Sequence, residues 1–180
     1  MAGESNDKKV VIAILLTSTL LTMLGVAGIL RGAYDLSLTP VPEDVRELYE
    51  PGAEITDAEV QLREARITNP YRRPMAAANI VLSGLMLMGS FMLSWRRKLA
   101  QWWIKQAVIA KLIWIAAYTI SFVSHIKLAF TPLPLKHLDG ALPEVISGVI
   151  VISSASAVLH IAAAYRATRP DIRRFIESPP

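Results

Sequence analysis

The chain has 180 residues, of which 53% are hydrophobic, with a net charge of +4 and no cysteine. Disulfides, thiol catalysis, thiolate metal sites and palmitoylation are therefore excluded. The apolar residues gather in four runs and the basic residues gather beside them, so the positive charge points to a membrane surface and not to nucleic acid.

The first run, Val10–Leu30, contains no aspartate or glutamate and is 21 residues long. About 20 apolar residues are needed to cross a bilayer core of roughly 30 Å. Lys8 and Lys9 precede it as they would in a signal peptide. The run exceeds the 7–15 residues or so of an h-region, and no small-residue cleavage site follows, so a retained helix is expected. Ser18 and Gly25, with Leu15, Thr22 and Ile29, form its expected packing face. Gly28-Ile-Leu-Arg-Gly32 is a G-x-x-x-G match that marks a second face for self-association.

The loop 31–74 holds six basic and nine acidic residues. Its length is too great for a bare connector. Pro42 opens a short helix near 42–50 with acids in its first turn. Thr56-Asp-Ala-Glu59 is a capping box that starts a second helix over 57–68, which Asn69-Pro70 ends. Two readings stand for this loop: a lid on the bundle, or a docking surface for a partner.

The second run, Met75–Trp95, brings Ala76, Ser83 and Ser90 onto one face, with Asn79, Met86 and Leu93 between them. Left-handed packing near +20° selects such seven-residue spacings. Met86, Met88 and Met92 raise the idea of a copper site. Met86 and Met88 lie about 200° apart on a helix, however, so these residues read as adaptable core filler. The link 96–106 carries Arg96, Arg97, Lys98 and Lys105 and no acid, and Trp95, Trp102 and Trp103 flank it as an aromatic belt would.

The third run, Ala107–Phe130, is the one that length and greasiness do not explain. Lys111, Tyr118 and His125 are seven apart, and Trp114 and Ser121 fill the positions three later. Lys111 lies four residues inside this run, about 6 Å by helical rise. It either snorkels to the headgroups or stands as a fixed charge in a polar crevice. His125, near the other end, is expected to bond a serine or threonine of a neighbour. The loop 131–144 contains His137 and Asp139, read as a solvated pair and not as metal ligands.

The fourth run, Val145–Tyr165, carries Ser153 and His160 on one face, with Val149, Ser156 and Ala163. Ser156, Asn79 or a tyrosine across the bundle are the expected partners of His160. A haem held by His125 and His160 is set aside, because a ten-residue offset separates them by about 15 Å in depth. The tail 166–180 adds Arg166, Arg169, Arg173 and Arg174 against Asp171 and Glu177.

The chain therefore reads as an all-α integral membrane protein, a single domain of four transmembrane helices in a left-handed up-down bundle. The link 96–106 and both termini fall in the cytoplasm, and the loops 31–74 and 131–144 fall outside, in a plasma or inner membrane. Arg72 and Arg73 are a small violation of the charge rule. No run contains a carboxylate or a proline break, which argues against a self-sufficient cation transporter. The leading functional expectation is a non-enzymatic accessory or assembly subunit with a protein partner or a second copy of itself, and no cofactor. The alternative is a small channel, transporter or lipid- or anion-binding bundle using Lys111, with Tyr118, His125, His160 and Asn79 as the remaining candidates. Membrane enzyme is a third class, for which only the two buried histidines qualify.

Overall fold

The computed structural model describes residues 2–39, 65–130 and 141–177, and among them the only regular structure is helix. In chain order the helices are α1 (Ala2–Ser37), α2 (Arg72–Ser94), α3 (Ala100–Phe130), α4 (Ala141–Ala167) and the short α5 (Pro170–Glu177). The first four are long and apolar enough to cross a membrane. Most of the expected loop helices, together with His137 and Asp139, lie outside the described residues. Only the last helical turn, at 65–68, is seen.

The helices are longer than their apolar runs. α1 continues to Ser37, so Arg31 and Asp35 belong to the helix and not to the loop. α3 starts at Ala100, seven residues before its run, and leaves a turn of only five residues, 95–99, after α2. Backbone geometry makes this turn tight. The amide of Arg97 donates to Met92 O at 2.9 Å and that of Arg96 to Leu93 O at 3.1 Å. This is the double closure of a Schellman motif. It puts Arg96 at φ 52°, a left-handed position that glycine usually fills. Its guanidinium lies 4.0 Å from the ring centroid of Phe175 in α5.

α1 packs most extensively against α2, α2 against α3, α3 against α4, and α1 also touches α4 and α5. The α1–α2 contact is close because glycines line it. A Cβ on Gly25 would come within 2.7 Å of Leu87, and one on Gly32 within 2.6 Å of Ile80. The G-x-x-x-G of α1 is thus spent on the intramolecular contact with α2, and the expected self-associating face is corrected accordingly. Of the stripe expected for the first run, Ser18 and Gly25 are buried, but its flank is out by one residue: Leu21 is fully buried and Leu15 exposed.

Two apolar clusters result. At the termini end, where α1 begins and α5 lies, Ile14, Leu21, Met86, Leu93, Ile104, Ala163, Ile172 and their neighbours form a core shared by all five helices. At the loop end a smaller cluster joins Ala65, Phe122 and Ile126, with Leu142, Val145 and Val149 packed against it. α4 is the helix least covered by protein.

A buried lysine in a polar belt

Between the two clusters lies a belt of polar side chains, and its centre is Lys111. Its ammonium donates to Asn79 Oδ1 and to Ser83 Oγ, the latter at 2.8 Å. It also lies 4.8 Å from the centroid of the Trp114 ring, which offers a cation the negative face of its quadrupole. The residue is 3% exposed. Asn79 passes the network on, donating from Nδ2 to Gly28 O at 2.9 Å. Three helices therefore converge on one cation, and Gly28 makes this possible. A Cβ there would sit 2.1 Å from Ser83 Oγ and 3.1 Å from Lys111 Nζ.

This geometry corrects the snorkelling reading. Because α3 starts at Ala100, Lys111 lies eleven residues into the helix, about 16 Å along its axis. Its partners Asn79 and Ser83 lie about 10 and 16 Å from the loop end of α2, a helix of 23 residues. The ammonium is thus held well inside the bundle by side-chain bonds to α2.

Tyr118 stands one position further along the same face. Trp114, Tyr118 and Phe122 form a stacked ladder with centroid separations of 5.1 and 5.7 Å. Arg31 of α1 lays its guanidinium 4.9 Å from the Tyr118 centroid. Arg31 and Lys111 are close enough for their charges to interact.

His160 reaches this level from α4. Thr119 donates to Ser153 at 2.8 Å and sets the α3–α4 register, which by helical rise puts His160 near the depth of Lys111. It is 2% exposed, and Lys111 lies within electrostatic reach. Its Nδ1 donates to Ser156 O at 2.6 Å. Of the expected partners it is Ser156, through its backbone carbonyl, and not Asn79 or a tyrosine. Nε2 is buried and has no hydrogen-bond partner among the described residues.

His125 does not join this group. It sits at the loop end, where Nε2 meets Thr68 Oγ1 at 3.2 Å. From the Thr119–Ser153 register the two histidines are about 19 Å apart in depth. One histidine thus stands near the level of Lys111 and the other far from it. His125 instead borders an open groove of about 500 Å³, lined mainly by apolar atoms of Tyr71, Met75, Ala117, Ile120 and Leu128. No group of three or more His, Cys, Asp or Glu residues suited to a metal occurs among the described residues.

No family model, curated protein or solved structure matches this chain. The belt therefore has to be read from its own chemistry.

Sequence reasoning found Lys111, Asn79, Tyr118 and His160 and missed Arg31, Ser83 and Gly28 as members of one network. Ser83 and Asn79 were legible as one face of the second run, a signal that could have paired them with Lys111. Arg31 was hidden because the apolar run stops at Leu30 although the helix does not. At the loop end, Asp35 is buried and binds Arg66 at 2.7 Å. Arg72 donates to Leu38 O at 2.7 Å, so half of the basic pair that breaks the charge rule ties α2 to the end of α1.

Proposed function

We propose that the chain is a non-enzymatic, multi-pass subunit of the cytoplasmic or inner membrane that assists or assembles a larger complex, with both termini in the cytoplasm and its helices in a left-handed up-down bundle. The observation that carries this reading is the outward face of α4. Ser147, Ser154, Ala155 and Ala162 are all exposed there, along with Val151 and Val158, and a Cβ on Gly148 would meet nothing within 4 Å. Membrane helices associate through small residues and interhelical hydrogen bonds, and serines facing lipid gain neither. The partner is a second protein or a second copy of this chain. Co-purification in mild detergent tests the proposal. A defined partner should be retained by the natural chain and lost on Ser154→Phe, and elution as an isolated monomer would count against it.

A second reading is favoured by the polar belt. Lys111 lies buried near Arg31 and an unpartnered histidine nitrogen, with no carboxylate bonded to it among the described residues. A buried charge is costly unless compensated. A bundle that binds or passes anions, or holds an anionic lipid, supplies that compensation when loaded. Lys111→Met separates the two readings. Partner retention should survive the change if α4 is the working surface, whereas anion binding or flux should disappear.

A further inference from the structure

The termini end carries a charged surface that the α4 reading does not use. Three basic segments far apart in sequence meet there. Lys8 and Lys9 lie in the second turn of α1, Arg96, Arg97 and Lys98 belong to the α2–α3 turn, and Arg166, Arg169, Arg173 and Arg174 flank or belong to α5. The fold brings them together through α5, which is amphipathic. Ile172 and Ile176 are buried in the shared core with Val10 and Ile14 of α1. Phe175 lies beneath Arg96, and Gln101 Nε2 donates to Ala167 O at 3.0 Å. A tail that could have run into water is folded back so that its arginines stand beside the other two segments.

Part of this charge is already spent. Arg169 pairs with Asp171 at 3.2 Å and Arg173 with Glu177 at 2.9 Å. Lys9, Arg97, Lys98, Lys105, Arg166 and Arg174 are exposed and make no ion pair among the described residues. A second set of side chains fixes where these groups stand. Trp95, Leu99, Trp102 and Tyr165 are 70%, 66%, 59% and 73% exposed at the same end. Trp and Tyr seek the headgroup level of a bilayer. In the chain they directly bracket the bases, as Trp95-Arg96-Arg97-Lys98-Leu99 and Tyr165-Arg166. The free cations therefore stand at phosphate depth rather than out in solution.

We infer that this collar is a binding surface for the phosphate groups of anionic phospholipids, with α5 as the element that completes it. The exposed aromatic residues favour a lipid surface over an acidic protein, because a water-soluble partner has no use for a ring of Trp and Tyr at headgroup level. The inference is independent of what α4 binds.

The test is lipid retention by the full chain. The protein in mild detergent is equilibrated with equal amounts of phosphatidylglycerol and phosphatidylcholine of one acyl composition, and the retained lipid is measured by native mass spectrometry. Phosphatidylglycerol should be enriched about fivefold or more, since a single basic group near an anionic surface already contributes a factor of that order. The preference should shrink at high salt, which screens exposed charges. The exposed triple change Arg97→Gln, Lys98→Gln and Arg174→Gln should remove the preference, and Arg73→Gln at the loop end should leave it intact. Equal retention of both lipids by the natural chain overturns the inference, and so does a preference that survives the triple change. An unchanged lipid ratio, with loss of an acidic protein from the membrane complex, would assign the surface to protein and likewise overturn it.

Discussion

The two ends of the bundle are held in different ways. At the termini end five helices share one apolar core, and Leu21, Leu93, Ile104 and Ile172 are almost wholly covered. At the loop end the apolar cluster is small, and the helices are tied by polar clasps: Asp35 to Arg66, Arg72 to Leu38 O, and His125 to Thr68. The Lys111 belt separates them. In lipid, apolar side chains gain little by leaving one greasy neighbour for another, so close van der Waals packing and polar bonds decide which helices touch. One end uses mostly the first device and the other mostly the second.

The sharpest way to break the comparison is at the belt itself. Gly28→Leu drives a side chain into Ser83 and Lys111 and should abolish the folded state in detergent, read as loss of a monodisperse peak. Gly28→Ala should cost about 1–3 kcal/mol in reversible unfolding. Pairing it with Ser83→Gly should recover part of that loss, because the two nearest atoms that a new Cβ would strike, Oγ and Cβ of Ser83, are then gone.

Next in size is Asn79→Leu. It removes one partner of the ammonium and deprives Gly28 O of its side-chain donor, and it should cost about 2–3 kcal/mol, the value of a hydrogen bond to a charged group. If unfolding is unchanged, the belt is not what joins the two ends.

At the termini end, Ile172→Ala opens a gap in the shared core and should cost about 2 kcal/mol or more. α5 ends the described chain, so the loss should appear as faster proteolysis between α4 and α5 rather than as global unfolding.

The loop end should respond least. Asp35→Asn leaves Arg66 with a neutral partner and should cost about 1.5 kcal/mol, seen as faster amide exchange at 65–69. His125→Phe should cost about 0.5 kcal/mol, since it removes one bond near the surface. Equal or larger effects here than at Ile172 would reverse the ranking of the two ends.

Much of this architecture was legible from residue order. A window of about 20 apolar residues implies a spanning helix because unpaired backbone groups are not tolerated in lipid, and all four such helices are present. The inward face of α2 followed from seven-residue spacing: Ala76, Asn79, Ser83, Met86, Ser90 and Leu93 are all buried. That Lys111 demanded an explanation was also legible, since a cation inside an apolar run is costly wherever it points.

The tertiary structure decided how that cost is met. Where α3 begins depends on a turn closed by backbone bonds around Arg96, a residue whose left-handed conformation no propensity would suggest, and the bonds of Lys111 to Asn79 and Ser83 of α2 keep its ammonium inside the bundle. That Gly28 faces Lys111, that Arg31 covers Tyr118 and that His160 stands at the same level depend on the registers of α1 on α2 and α4 on α3. Local sequence fixes a helix and its apolar stripe, because both repeat along a single chain segment. Register is set by the packing of small residues on one helix against side chains of another, and that information exists only once the helices have met.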